Sequence, residues 1–242
     1  MSVHIGTSGW SYPHWRESFY TGPLARRQGQ WLSHYADHFD CVEINSSFYR
    51  LPSPATVEQW LAQTPVEFLF TVKASRYITH MKKLKDCARP LADFLAIARL
   101  FSTRLGIVLF QLPPRWHADP GRLRQFLALL PQDLRFAMEF RDPSWHVPEV
   151  EALLRAHKVA FCQYDLAGFT TPCLVTTDLV YLRLHGPGEA YAGSYSGDAL
   201  EAWASRIKAW DREGCAVYVF FDNDQHGYAV QNACVLRKLT GA

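Results

Sequence analysis

Residues 41–50 of the sequence, CVEINSSFYR, begin like a buried strand and end in a cluster of polar side chains. Val42 and Ile44 are apolar and β-branched, whereas Glu43 and Asn45 alternate with them and so occupy the opposite face of an extended segment. In an antiparallel sheet that is covered on one side, the polar face would meet water. In a closed barrel of parallel strands it would face an enclosed interior, so the environment of Glu43 depends on the fold.

Seven further segments have the length and the β-branched or aromatic content of a strand. The eight strand-like segments are residues 3–8, 41–45, 68–73, 106–112, 135–141, 160–165, 179–185 and 216–223. Amphipathic segments lie between most of them, and three begin with helix-start signals: Ser53-Pro54, Asp119-Pro120, and a capping box at Asp198 and Glu201. Eight strand–helix units in 242 residues predict a single TIM (β/α)8 barrel domain over residues 1–242.

One unit departs from this pattern. Residues 166–178, LAGFTTPCLVTTD, carry no helical stripe of apolar residues, so we expect the sixth helix to be short or missing. The rival fold is an open, doubly wound sheet with a glycine-rich phosphate loop after the first strand. Residues 6–10, GTSGW, contain two glycines without the GxGxxG spacing, which favours the barrel.

Composition excludes several classes of protein. The net charge of +2 gives the chain as a whole no strong attraction to nucleic acid or to a membrane surface. No apolar stretch approaches the roughly 18 residues of a membrane-spanning helix, and residues 1–10 lack the features of a signal peptide. The six cysteines are scattered without a CxxC pair. We therefore expect a cytoplasmic protein with no membrane partner, no metal site and no cofactor.

Polar residues gather near the carboxyl ends of the strand-like segments, where TIM barrels carry their active sites. Within four segments they alternate, at 43/45, 139/141, 163/165 and 183/185, and we expect these pairs to face the interior while Tyr164 and its counterparts face the helices. The predicted catalytic residues are Glu43, Glu139, Lys73, His185 and Asp165. The predicted substrate-binding residues are Asn45, Gln111, Arg141, Arg183, Asn223, Trp10, Tyr12, Tyr49 and Trp145. The structural alternative is an ion-pair network that fills the barrel.

Seven blocks of the sequence together resemble the YecE-like proteins, also called domain of unknown function 72. They are GTSGWSYPHW, VEINSSFYRLP, FTVKAS, VLFQLPP, EFRDPSW, YLRLHG and FFDND followed by HGYAVQNA. They run in the family's order from Val3 to about Leu239. The resemblance implies a TIM barrel and names no reaction. Its shared motifs fall on Glu43, Asn45, Lys73, Gln111, Glu139, Arg141, Arg183, His185 and Asn223. The family's last block reads closer to Phe-Asn-Asn, so Asp222 is an additional carboxylate in this sequence.

The first functional hypothesis is a metal-independent hydrolase or lyase that acts on a small anionic substrate. Glu43 and Glu139 would divide the acid and base roles, and His185 would shuttle a proton. Three cations would hold a phosphate or carboxylate of the substrate: Lys73, Arg141 and Arg183. We expect neighbouring carboxylates to keep Lys73 protonated, which disfavours a Schiff base at this lysine.

Two alternatives use the same end of the barrel. One is a metal-assisted phosphodiesterase or nuclease, with a one-metal site from Glu43, Glu139, Asp165 and His185. The other is nucleic-acid binding through the basic segment 76–89, which carries Arg76, Lys82, Lys83, Lys85 and Arg89. The sequence does not specify the oligomeric state.

Overall fold

The computed structural model of the protein describes residues 3–242, without the side chain of Glu17, so the first two residues of the expected domain and of the leader prediction lie outside it. The described chain contains nine strands: β1 (Val3–Thr7), β2 (Cys41–Ile44), β3 (Leu69–Lys73), β4 (Leu105–Leu112), β5 (Phe136–Phe140), β6 (Ala160–Leu166), β7 (Phe169–Thr170), β8 (Leu179–Leu184) and β9 (Ala216–Phe221). Eight of them pair in parallel in the order β1-β9-β8-β6-β5-β4-β3-β2. The short β7 pairs antiparallel with β6.

The ring of strands closes between β1 and β2. A parallel bridge joins Ser8 to Glu43, and the amide of Gly9 donates a 2.8 Å hydrogen bond to the Glu43 carbonyl. The two strands approach so closely at Gly6 that a Cβ there would lie 2.3 Å from the carbonyl oxygen of Cys41. The predicted TIM barrel is therefore confirmed, with its closure at the strand that carries Glu43.

Seven helices accompany the strands in the described chain: α1 (Trp31–Ala36), α2 (Pro54–Ala62), α3 (Ala88–Ala98), α4 (Pro120–Leu127), α5 (Pro148–Ala156), α6 (Gly197–Arg212) and α7 (Tyr228–Thr240). Ser53 and Asp119 cap α2 and α4, as predicted, by accepting hydrogen bonds from backbone amides three residues later. The capping box predicted at Asp198 is wrong, because Ser196 is the N-cap of α6 and accepts from the amide of Ala199.

The sixth helix is missing, as predicted. Between β6 and β8 the described chain forms the β7 hairpin and then an extended segment at residues 171–178. Threonine side chains fix this segment to the outer face of β6: the amide of Phe161 donates to Thr176 Oγ1 at 2.9 Å, and the amide of Tyr164 donates to Thr171 Oγ1 at 3.0 Å.

Two apolar clusters show which side chains of each strand point toward the helices and which point into the barrel. The larger one lies between the strands and the helices and contains Val42, Phe140, Leu184 and Phe221. The smaller one fills the barrel interior and contains Cys41, Ile107, Leu109, Ala137, Ala160, Cys162, Leu179, Tyr181, Tyr218 and Phe220. Because inward-facing residues recur at every second position, the interior cluster continues toward the carboxyl ends through residues 43, 111, 139, 164, 183 and 222.

No helix among the described residues is both long enough and apolar enough to cross a lipid bilayer.

Candidate functional site

Arg183 lies at the centre of a buried charge cluster inside the carboxyl end of the barrel. Its guanidinium donates to Glu43 through Nε at 2.9 Å and Nη2 at 2.7 Å, and to Glu139 through Nη1 at 2.9 Å. Burial alone would raise the pKa of Glu43, but the charge and hydrogen bonds of Arg183 outweigh it and lower that pKa below its ordinary value. Ser8 and Tyr181 add hydrogen bonds of 2.6 Å each to the two oxygens of Glu43. Glu43 is therefore held ionised, and both of its carboxylate oxygens already accept hydrogen bonds.

Glu139 is equally buried and has two cationic partners. Arg141 donates to Glu139 Oε1, and Arg183 contacts the other carboxylate oxygen. Burial acts to raise the pKa of Glu139, yet the charges of Arg141 and Arg183 outweigh it and hold the pKa far below its usual range. The surroundings of both glutamates thus favour a role as permanent anions that orient the arginines, rather than the predicted role as an acid–base pair.

His185 accepts from both arginines through one ring nitrogen. Arg141 Nη2 and Arg183 Nη1 approach His185 Nε2 at 2.8 and 2.9 Å, which places the imidazole proton on Nδ1. Burial and then the two guanidinium charges hold the pKa of His185 well below its ordinary value. These contacts favour the role of a neutral hydrogen-bond acceptor that positions the two arginines, rather than the predicted role of a proton shuttle.

Lys73 lies at the carboxyl end of β3, near enough to the cluster to feel the charges of Arg183, Glu139 and Glu43, and only 9% of its surface is exposed. Within the described chain its ammonium group has no hydrogen-bond or ion-pair partner; its one close contact is the ring of Phe48, 4.6 Å away. Burial, followed by the charge of Arg183, lowers the pKa of Lys73 to about 8. At this pKa the ammonium form still predominates at neutral pH, and the charges of Glu139 and Glu43 help to retain its proton.

Asp222 completes the cluster and is absent from the predicted site residues. Its Oδ2 accepts a 3.0 Å bond from Arg183 Nη2 and lies 3.5 Å from His185 Nε2. Burial raises the pKa of Asp222 to about 7, against the opposing charge of Arg183. The signal that identifies it is alternation along β9, since Tyr218, Phe220 and Asp222 share the inward face.

The predicted site residues Asp165, on β6, and Asn223, which follows β9, lie outside this cluster. Asp165 points away from the barrel interior and accepts a hydrogen bond from the Tyr195 hydroxyl. Tyr164 instead faces inward, with Arg141 over its ring at 4.7 Å, so the predicted orientation of β6 is reversed. Asn223 donates to the Gly193 carbonyl and to Asn232 at 2.8 and 2.9 Å, and so connects the loop after β8 to α7.

The metal alternative predicted a site from four residues, and Asp165 on the outer face of β6 does not join the other three. Within residues 3–242, no group of three or more His, Cys, Asp or Glu side chains is arranged to hold a metal ion.

The aromatic residues divide between core, surface and a cleft. Trp145 is buried behind β5, where it stacks on Phe140 and donates a 2.6 Å hydrogen bond to the Trp116 carbonyl. Tyr49 is 73% exposed and contacts the ring of Phe48. Neither residue faces the charge cluster.

Trp10, Tyr12 and Asn45 line a cleft of about 400 Å³ between the loop after β1 and helix α2. The Tyr12 hydroxyl donates to the Ser8 carbonyl at the entrance to the barrel, and burial followed by the nearby charge of Asp222 raises its pKa. This cleft adjoins the charge cluster but has different chemistry.

The two remaining predictions concern the rim of the barrel. Gln111 continues the inward face of β4 and pairs in register with Glu139 on β5. The basic segment 76–89 is largely exposed, with Lys82 and Lys83 near the rings of Tyr77 and Trp116.

The comparisons with known proteins agree with the fold. A family model described as "Protein of unknown function DUF72" matches residues 4–242. UPF0759 protein YecE of Escherichia coli is 32% identical over 144 residues, which cover 59% of this chain and 50% of YecE, so the chain spans about half the length of that relative. UPF0759 protein YunF of Bacillus subtilis is 26% identical over 95% of this chain and 92% of its own length.

Among solved structures, a DUF72 family protein from Thermotoga maritima superposes with a TM-score of 0.90 at 29% identity, over 100% of both chains. A DUF72 family protein from Enterococcus faecalis has a TM-score of 0.83 at 18% identity over 99% of this chain and 96% of its own, and this likeness shows the fold alone. The family resemblance is thus confirmed, and the chain belongs to the DUF72 family.

Proposed function

We propose that the protein is an enzyme, a hydrolase or lyase, that binds the phosphate or carboxylate of a small substrate at the carboxyl-terminal mouth of the barrel. The observation that carries this proposal is Lys73. A nearly buried ammonium group without an ion-pair partner costs free energy, and the cost falls when an anion binds beside it. Arg141, which is mostly buried in the same charge cluster, supplies a planar donor for the same anion.

The charges of the cluster support an anionic ligand. Lys73, Arg141 and Arg183 face two ionised glutamates, so the cluster carries one excess positive charge whenever Asp222 is protonated. With its pKa raised to about 7, Asp222 holds a proton that it can deliver near neutral pH. The acid role therefore passes from the predicted glutamates to Asp222, and Glu43 and Glu139 position the arginines.

Titration with inorganic phosphate tests the binding step. We expect calorimetry to show a saturable phosphate site in the wild type, weakened at least about tenfold in Lys73→Met, because the unpaired ammonium is lost. Lys85→Met is the matched control, since Lys85 is exposed on the loop that follows the same strand. Equal phosphate affinity in the wild type and in Lys73→Met would contradict the proposal.

Turnover is tested with a panel of phosphate monoesters and hydroxycarboxylic acids. Asp222→Asn keeps the shape of the side chain and removes its titrating proton. We expect this variant to bind phosphate and to lose turnover by about 100-fold or more, the usual contribution of a general acid. A fully active Asp222→Asn variant would remove Asp222 from the acid role.

A second candidate function is nucleic-acid binding by the basic segment 76–89. The observation that favours it is the proximity of cations to aromatic rings, with the exposed Lys83 5.9 Å from the Trp116 ring and the partly buried Lys82 5.8 Å from the Tyr77 ring. Fluorescence anisotropy of a single-stranded oligonucleotide over a range of salt concentrations tests it. We expect Lys83→Ala and Lys85→Ala each to reduce the salt dependence, whereas Lys208→Ala on α6 leaves it unchanged. A salt-independent affinity would exclude phosphate contacts.

A further inference from the structure

We propose that the cleft between the loop after β1 and helix α2 is a binding site for an uncharged, polyhydroxylated ring such as a monosaccharide. Its volume of about 400 Å³ lies within the range of about 300–1,000 Å³ typical of small-molecule sites. The site is distinct from the charge cluster, because its described lining contains no Asp, Glu, Lys, Arg or His side chain. The proposal therefore goes beyond the anion-binding function of the mouth.

The polar lining consists mainly of carboxamides. Gln28, Asn45, Gln59 and Gln63 contribute four, and serine hydroxyls add to them. Each carboxamide offers both donors and an acceptor, and each ring hydroxyl of a sugar likewise donates and accepts. A lining of this kind matches a ligand with many neutral hydroxyls and offers no charge to attract an ion.

Asn45 supplies direct evidence of an unfilled hydrogen-bonding requirement. Its Oδ1 is buried and accepts no hydrogen bond from the described residues. An acceptor that is withdrawn from water without a partner costs about 1–3 kcal/mol, and a rotation of this carboxamide toward the cleft that Asn45 lines would let a ligand hydroxyl donate to it. The Gln59 and Gln63 carboxamides also make no hydrogen bond to the described part of the chain, which leaves them available to a ligand.

The aromatic residues distinguish a sugar from a nucleobase. Trp10 and Trp60 lie edge to face, with ring centroids 5.1 Å apart and planes at 89°. This geometry does not provide the two parallel faces that would hold a flat base between them. A puckered ring with hydroxyls on its periphery can instead lie on one indole face while the carboxamides contact its edge.

Saturation-transfer NMR with a panel of neutral sugars and polyols tests this proposal: glucose, galactose, mannose, ribose and myo-inositol, with adenine and uracil as flat-ring comparators. We expect at least one sugar or polyol to give saturable binding. The double variant Gln59→Ala, Gln63→Ala should weaken it at least about tenfold, the loss expected for two hydrogen bonds.

Glu58→Ala is the control, because Glu58 is an exposed neighbour on the same helix that does not line the cleft. Phosphate affinity should be unchanged in both variants, so failure at the cleft is distinguishable from failure at the mouth. The proposal is overturned if no sugar or polyol binds at millimolar concentration. It is also overturned if binding survives the double variant, or if only adenine or uracil binds.

Discussion

Arg183 holds Glu43 through two parallel hydrogen bonds, Nε to Oε2 at 2.9 Å and Nη2 to Oε1 at 2.7 Å, where neither side chain reaches solvent. The planar guanidinium matches both oxygens of the carboxylate, and its remaining donor reaches Glu139 on a third strand. Arg183 on β8 therefore forms ion pairs with carboxylates from two other strands, Glu43 on β2 and Glu139 on β5. Arg183 thus connects three strands of the barrel and also belongs to the candidate site.

The first prediction concerns the stability that this arginine provides. Arg183→Met leaves Glu43 without its cation and Glu139 with only Arg141. Removal of one partner from a buried ion pair typically costs about 3–5 kcal/mol, because the other charge stays buried without compensation. We expect the free energy of unfolding, measured by urea denaturation, to fall by about that amount.

Arg155→Met is the matched control for this experiment. Arg155 pairs with Glu151 at 2.6 Å on α5, but half of its side chain is exposed. An exposed pair contributes less than about 1 kcal/mol. Similar losses in the two variants would show that Arg183 does not carry the buried charges as described.

The second prediction is a pH dependence of stability that originates at Asp222. Its pKa is about 7 in the folded protein and 3.8 at its ordinary value, so between these pH values the folded state binds more protons than the unfolded state. Stability from this group is therefore largest below pH 4 and is lost as the pH rises through 7, by at most about 1.4 kcal/mol per pH unit.

Asp222→Asn isolates that contribution, since the amide does not titrate. We expect the difference in unfolding free energy between wild type and variant to change steadily from pH 4.5 to pH 7, measured by denaturation in a series of buffers. A difference that is constant across this range would mean that burial does not shift the pKa of Asp222.

The third prediction concerns anion affinity, with sulfate as the probe because its charge is constant in this range. The cluster loses positive charge in two steps as pH rises, first when Asp222 ionises near 7 and then when Lys73 deprotonates near 8. Sulfate should therefore bind most tightly below pH 6.5 and progressively more weakly up to pH 9, as followed by calorimetry. Affinity that increased with pH would place the anion elsewhere.

The barrel itself could be predicted from sequence because its signals are local. Strand length, β-branched content and the caps at Ser53 and Asp119 depend on neighbouring residues, and the structure reproduces all eight predicted barrel strands. Alternation also identified the inward faces of β2, β5 and β8. On these strands the charged residues alternate with apolar residues that pack against the helices, so the two faces differ clearly in polarity.

Alternation was wrong on β6 for a physical reason. It shows which residues share a face, and it does not show which face is inward. The missing sixth helix leaves the outer face of β6 against the extended segment 171–178, where polar side chains find partners: Gln163 donates to the Leu174 carbonyl at 3.4 Å. Polar residues therefore face outward on this strand, and the predicted absence of that helix was the available signal.

The fourth prediction separates two aromatic residues that the sequence assigned to the same role. Trp145 is 1% exposed and packs in the core, so Trp145→Ala should lower the free energy of unfolding by about 3–5 kcal/mol. Tyr49→Ala, at a side chain that is 73% exposed, should change it by less than about 0.5 kcal/mol. Phosphate affinity in the folded fraction should match the wild type in both variants. A loss of affinity in Tyr49→Ala without unfolding would restore its predicted binding role.

The fifth prediction tests the closure of the barrel at Gly6. A Cβ at this position would lie 2.3 Å from the Cys41 carbonyl oxygen and 2.9 Å from the Tyr35 hydroxyl. Because the first clash is with backbone, β1 and β2 would have to separate, and overpacking of this kind costs about 1–3 kcal/mol or more. Gly6→Ala should therefore lower the urea midpoint and increase hydrogen exchange at the amide of Gly9, which bonds across the same junction.

Gly197→Ala is the control for Gly6→Ala, since a Cβ at the start of α6 meets no atom within 4 Å. Alanine there should be neutral or slightly stabilising, because it reduces the freedom of the unfolded chain without straining the folded one. If Gly6→Ala were as stable as Gly197→Ala, the two strands would not approach each other closely enough for Gly6 to be required.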